Sequence, residues 1–343
     1  MSASLIFGGD IAPLRAAPAG MFGDLAPLIR AADLAVGNLE FPLSSRGSPV
    51  RGKIYPHCGP PSAIAALVDA GFDAVNLANN HMLDYGEAAL LDTLDLVSGA
   101  GIARFGAGRN LAEAAAPVVL ERGGLRIGLL GFTTTLPTGF AAGEGVPGVN
   151  PFRVITSYRP FRNLEEYPGS PAVVETAPVA EVLERLVAEV RKLKERADIV
   201  LVYGHWGTSM AETVHDFQRA IAHAAIDAGA AALFGGHQHV VSGVEFYRGA
   251  PIVHGLGNLV FDFVAPFFTE ETRRTMVFAA NITASGLEDC RLICCRTGVN
   301  GPVAMLNPRE GEGADLAATL KRLSEPLGTA LSVGAGDIAV GPR

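Results

Sequence analysis

Five short runs hold the residues of this chain that could do chemistry together. They are FGGD, ending on Asp10; GNLE, with Asn38 and Glu40; LANNHMLDYG, with Asn80, His81 and Asp84; GHWG, with His205; and GGHQHV, with His237 and His239. Carboxylate, amide and imidazole are the N and O donors that divalent Mn, Fe or Zn accept, and nothing in the set chooses among those metals. Donors gathered around such an ion can polarise a phosphoryl or carbonyl oxygen and activate water near neutral pH. The runs differ in weight. A strand ending in Gly-Asp is often no more than a turn. A histidine between glycines, as in GHWG, has little use as a helix cap. The Gly-Gly-His-Gln-His run is the strongest piece, because two imidazoles two residues apart reach one cluster if the backbone bends there. Asp84 has two readings: an N-cap for the helix that follows, or a carboxylate that orients His81 through a ring N–H and fixes its tautomer. Of the other histidines, His215 and His223 fall on an amphipathic helix, His57 sits in a loop beside Cys58, and His254 stands near a strand end; none is assigned to the site.

The elements that must position these donors are legible in outline. Each run closes an apolar, strand-like segment: SLIFGGD, DLAVGNLE, FDAVNLANNH, DIVLVYGH and AALFGG. In α/β sheets the carboxyl edge of the strands is where ligands bind. Helical segments alternate with them. PPSAIAALVDAG has a proline start and a glycine stop, and VAEVLERLVAEVRKLKERA has acidic residues early and basic residues late, matching the helix dipole. APVVLERGGLRIGLLGFT reads as a hairpin around Gly123-Gly124. The last sixty residues read as strands, then a helix in GADLAATLKRLSEPLG, then a final turn. Residues 1–285 are expected to form the main domain, with 286–343 packed on it. Residues 136–180 break the rhythm: they are rich in Pro and Gly and show no sustained period, as in a functional loop or lid, or a solvated excursion. They carry Arg153 and Arg159, which with Lys53 could hold the carboxylates or phosphates of an anionic substrate.

Composition narrows the class. The chain is 49% hydrophobic and 18% charged, which is globular, and its net charge of −8 comes with no long basic run, so a nucleic-acid partner is not expected. The start lacks a signal-peptide pattern and no stretch is long and apolar enough to span a bilayer, which gives the expectation of a cytoplasmic protein without a membrane partner. Four cysteines, two of them adjacent and none in Cys-x-x-Cys spacing, read as buried free thiols. Oligomeric state is not legible.

The ordered set GD, NLE, NNHxxDYG, HWG, GGHxH and LGNxVFD resembles the poly-γ-glutamate capsule-synthesis CapA family, a branch of the calcineurin-like metallophosphoesterase superfamily, over roughly residues 5–265. The resemblance implies an α/β fold, a four-layer α/β/β/α sandwich with a metal site along one sheet edge, holding one or two divalent ions (Mn, Fe or Zn). It implies first-metal roles for Asp10 and His239, a bridging carboxylate at Glu40 with Asn38 beside it as a substrate contact, and second-metal roles for Asn80, His205 and His237. His81, supported by Asp84, would donate a proton to the substrate. Two positions depart from the superfamily pattern: Ala12 stands where Asp-x-His has its histidine, and Asn38-Leu39-Glu40 replaces a bridging aspartate. The implied activity is hydrolysis of a phosphoester or amide-type bond in a small-molecule or peptide substrate of anionic character. The alternatives are a part in making, transferring or releasing poly-γ-glutamate or a related amide product, and a ligand-binding relative without catalysis.

Overall fold

Alternation along Ser2–Ala12 sets the two faces of the first sheet. Ala3, Leu5 and Phe7 enter one buried cluster, while Ile6 enters another on the opposite side, as period-2 strand geometry requires. The computed structural model describes residues 1–15, 17–264 and 268–343. In it, this strand is central. It pairs in parallel with Leu34–Leu39 and antiparallel with Arg274–Thr283. Beyond Leu34–Leu39 the sheet continues in parallel through Ala74–Asn76 and Ala103–Phe105. Beyond Arg274–Thr283 it continues antiparallel through Gly286–Arg296, Ile338–Pro342 and Thr329–Val333.

The second sheet is parallel at its centre, where Leu125–Thr133, Ile199–His205, Ala232–Gly236 and Ala250–Val253 lie side by side, and closes at both edges with hairpins. One edge hairpin turns at Gly123-Gly124, both with positive φ (57° and 77°), which suits a tight turn between right-twisted strands.

The two sheets pack face to face. Leu5, Phe7 and Val36 of the first meet Leu129, Leu201 and Phe234 of the second, and the Phe7 and Phe234 rings stack with centroids 4.0 Å apart. The outer face of the first sheet is covered by helices Ala26–Ala31, Ile64–Ala70 and Glu87–Gly99, through Ile29, Leu67, Leu90 and Leu94. The outer face of the second is covered by Ala180–Lys194 and Asp216–Asp227, through Leu186, Val190, Phe217 and Ile221. The result is a four-layer α/β/β/α sandwich. Residues 286–343 extend the first sheet, and helix Gly311–Ser324 adds Leu316 and Leu320 to the core between the sheets. Among the described residues no helix is long and apolar enough to cross a membrane.

Two elements differ from the sequence reading. Residues 136–180 include an antiparallel ribbon, Val154–Arg159 with Val173–Pro178. Its strands are largely exposed, so they lack the apolar alternation that marks a half-buried strand, and the Pro and Gly around them read as loop. The chain also ends in a hairpin, not a turn: Ile338 and Val340 alternate into the core and join the first sheet.

The histidines outside the five runs have structural partners. His254 and His223 both bond the Glu245 carboxylate, at 3.1 and 2.8 Å, and Arg219 adds a contact at 2.9 Å. Burial alone raises the Glu245 carboxyl, but the bonds from His254, Arg219 and His223 outweigh it and hold the group well below the usual carboxylate range. A folded-state pKa below the unfolded value stabilises the protein above the unfolded pKa, and that stability fades as pH falls through the folded value. Glu245→Gln is therefore expected to cost about 2 kcal/mol at pH 7. The gap to the parent should narrow on acidification below about pH 4, as urea denaturation at the two pH values would read out.

Candidate metal centre

The carboxyl ends of the parallel strands of both sheets come together at one end of the sandwich. Asp10 sits in an irregular stretch of its strand, where the pairing register shifts on both sides. Its N–H donates to the Gly257 carbonyl at 3.0 Å. Gly9 is required there, since a Cβ would stand 2.0 Å from the same carbonyl oxygen. A matching constraint explains Gly-Gly before the two histidines. A Cβ on Gly236 would stand 2.0 Å from the Tyr203 hydroxyl and 2.7 Å from Asp10 Oδ1. The backbone then bends sharply: His237 and His239 have φ of 95° and 59°, a conformation few non-glycine residues adopt.

Asp10, Glu40 and His205 are fully buried, and their ligating atoms lie within 4.8 Å of one another. Asn38 organises this group. Its amide donates to Asp10 Oδ1 at 2.8 Å and to Glu40 Oε2 at 2.6 Å, and its carbonyl accepts from Asn76 and Asn79 at 2.8 and 3.3 Å. The Asn-Leu-Glu spacing puts Asn38 two residues from Glu40, which reaches the same cluster. Asn38, expected beside a substrate, is thus wholly buried, with both ends of its amide engaged by protein. From the second sheet, His205 Nε2 lies 2.8 Å from Asn80 Oδ1 and 3.6 Å from Glu40 Oε1. The His205 and His237 ring centroids are 5.0 Å apart, and those of His237 and His239 5.8 Å. His239 Nδ1 faces Asn258 Oδ1 at 2.9 Å and Asp10 Oδ2 at 3.6 Å.

Burial sets the electrostatics of this group. Burial pushes the Glu40 carboxyl well above its usual range, and the Asp10 charge adds to this against the Asn38 amide and Lys53. Burial likewise lowers His205 and His237 well below the ordinary imidazole value, with neighbouring imidazoles adding to the effect. Glu40 Oε1, His205 Nδ1 and His237 Nδ1 are buried without a hydrogen-bond partner. Buried polar atoms without partners are costly and uncommon. A divalent ion would satisfy the Glu40 oxygen and reverse the local charge balance, so the donor set fits a metal. Ala12 contributes none: it packs in an apolar cluster with Phe41 and Phe261.

The family model described as "Bacterial capsule synthesis protein PGA_cap" matches residues 4–263, about three quarters of the chain. The chain belongs to the PGA_cap family. Among curated relatives, the PGA biosynthesis protein CapA of Bacillus subtilis is 32% identical over 71% of this chain and 57% of its own length. The "Probable polyglutamine synthesis accessory protein" of Mycobacterium tuberculosis is 30% identical over 68% of this chain and 57% of its own length. The chain therefore spans little more than half of these relatives. A solved structure of a putative 5'-nucleotidase from Staphylococcus aureus overlays with a TM-score of 0.46 at 13% identity, over 94% of this chain and 58% of that one. A likeness at that level says nothing about activity.

Beside the buried donors, the PGA_cap chain holds a second cluster around His81. Its Nδ1 lies 2.6 Å from Asp84 Oδ2, which also accepts the His57 N–H at 2.8 Å. Asp84 is not a helix cap; the N-cap of Glu87–Gly99 is Gly86, with φ of 80°. The Lys53 ammonium, expected at a substrate anion, contacts Asp84, the Asn80 carbonyl and His81 Nδ1. Burial lowers His81, against the Asp84 bond. Burial also takes His57 down to about 4, with His81 adding to the effect. Arg153 lines a cavity of about 480 Å³. The same cavity is lined by Thr134, whose N–H bonds the His205 carbonyl at 2.9 Å. Arg159 lies out on the ribbon, paired with Glu175 at 2.6 Å. Sequence reading passed over Tyr203, whose hydroxyl donates to Asp10 at 3.3 Å, and Asn76, Asn79 and Asn258. Tyr203 had a signal: it precedes His205 by two residues in an otherwise apolar run, so it shares that face.

Proposed function

We propose that this chain is a metal-dependent hydrolase of a phosphoester or amide-type bond. The supporting observation is the buried, unpartnered Glu40 Oε1, which faces His205 Nε2 in a group shared with Asp10. Asp10, Glu40, Asn80, His205 and His237, with His239, would hold a divalent cation, which when bound supplies Lewis-acid polarisation and a lowered pKa for water. Asn38 clamps both carboxylates in place, and Tyr203 donates to the same Asp10 oxygen, Oδ1, that Asn38 holds. Asp84 holds the His81 ring by Nδ1. Nε2, which has no hydrogen bond among the described residues, is then free to give a proton to a leaving group from the doubly protonated ring, whose charge Asp84 offsets. Burial weakens the ring's hold on that proton.

Arg153, which shares a cavity with Thr134, the residue bonded to the His205 backbone, is the candidate contact for a substrate anion. Arg153→Ala is expected to raise KM about 10-fold with kcat kept, whereas Arg159→Ala, which breaks only an exposed pair, should leave both unchanged. Steady-state kinetics of the two variants would separate them.

The relatives' names favour a second reading, in which the bond belongs to poly-γ-glutamate or a related amide polymer. One experiment addresses both. Protein purified without chelator is assayed for metal by elemental analysis. It is then tested, with added Mn or Zn, on a nitrophenyl phosphodiester and a γ-glutamyl anilide. About one tightly held ion per chain and turnover of either probe is the expected result, and the probe cleaved names the bond class. A chain that takes up no ion would be a binding protein on this fold, and the hydrolase reading would fall.

A further inference from the structure

Lys53 belongs to the long irregular connection between Leu34–Leu39 and the turn at Pro61, yet its side chain is only 15% exposed. Its ammonium reaches three consecutive features of the loop after Ala74–Asn76: the carbonyl of Asn80, Nδ1 of His81 at 3.0 Å, and Oδ1 of Asp84. The Asp84 side chain is fully buried. One of its oxygens takes Lys53; the other takes the His81 ring and the His57 N–H.

We infer that Lys53 is the positioning residue of the His81–Asp84 pair, an inference that rests on the hydrolase reading above. A buried carboxylate needs a counter-charge, or its desolvation drives it to protonate or turn away. Lys53 supplies that charge at Oδ1 and leaves Oδ2 for the imidazole, so the ring stays aligned through Nδ1. A second N–H of the ammonium fixes the Asn80 peptide, whose side-chain carbonyl faces His205 Nε2 at 2.8 Å. One cation therefore keeps two neighbouring side chains in mutual register, one aimed at the buried donors and one at the proposed leaving group. A lysine suits this place because its donors can be divided between the Asp84 carboxylate and the Asn80 carbonyl, while the protonated Nδ1 of His81, 3.0 Å away, accepts none of them.

A neighbouring cavity makes the inference testable. Lys53 lines a cavity of about 530 Å³ together with Arg51, Leu83, Glu87, Thr138 and Phe140. Truncating the side chain opens the Asp84 carboxylate to that space, so a small ammonium ion can take the place of the missing one. In metal-loaded protein, Lys53→Ala is expected to lower kcat about 10- to 100-fold. KM should stay within about twofold, and metal content should be unchanged. Propylammonium, but not 1-propanol, should restore much of the loss. Lys53→Met, which fills the space without charge, should show the loss and resist rescue. A spectroscopic readout is independent of turnover. The short Nδ1–H bond of His81 gives a far-downfield proton resonance that is absent in His81→Ala. It should vanish in Lys53→Ala and return with propylammonium.

A rise in KM with kcat intact would overturn the inference and make Lys53 a substrate contact. Loss of metal would make it a support of Asn80 alone, and rescue by propanol would make it a space-filler. If the parent protein hydrolyses nothing, the hydrolase reading fails by itself, and the downfield proton still decides whether Lys53 holds the pair.

Discussion

In a His81→Ala variant, kcat is expected to fall by about 10²- to 10⁴-fold, the usual worth of a positioned proton donor, while metal content and melting temperature stay close to those of the parent. The geometry argues for that separation. His81 is held by Asp84 through Nδ1, with the Lys53 ammonium beside it, and none of its hydrogen bonds goes to Asp10, Glu40 or His205. Removing the imidazole takes away a proton donor but no candidate ligand. Substrates with a leaving group that needs no proton, such as a nitrophenolate, should lose far less than substrates with a poor one. Parallel loss of metal and activity would instead place His81 among the ligands.

Glu40→Gln should behave in the opposite way. Metal uptake and turnover should both drop to background, because the charge that faces His205 is gone. The metal-free variant, however, should melt at a higher temperature than the metal-free parent. Glu40 and Asp10 are two buried carboxylates bridged by one Asn38 amide, and burial together with their mutual repulsion disfavours the charged form of Glu40. Glutamine keeps the shape and removes the repulsion. A cation that binds only the folded parent at a hundred times its Kd should add about 2.7 kcal/mol, and this gain should be absent from the variant. Thermal melts of both proteins with chelator and with added Mn or Zn would check each part. A variant that still binds metal, or one destabilised in both conditions, would show that Glu40 serves packing.

Much of this was legible in the chain because the signals are local. Glu40, Asn80 and His237 come just after an apolar strand, His205 closes one and Asp10 lies two residues from the end of another, and a strand's carboxyl end is recognisable from the few residues around it. The pairing of His81 with Asp84 is local too, three residues apart in one loop. The ribbon at 154–178 was hidden because exposed strands carry no alternation. Lys53, expected at a substrate anion, carries no local signal of its partner: only the path of residues 45–58 over the loop brings its ammonium to a buried carboxylate.

The sequence by itself determined the candidate donors, their order and the strand ends near them, because period-2 patterning and turn chemistry act over a few residues. Tertiary structure alone decided which donors meet. Asp10, Glu40 and Asn80 come from the first sheet, His205 and His237 from the second. Their distances depend on how the two sheets stack, with Phe7 on Phe234 and with Gly9 and Gly236 admitting backbone contacts that a side chain would block. That stacking is a long-range packing choice, and no local pattern encodes it.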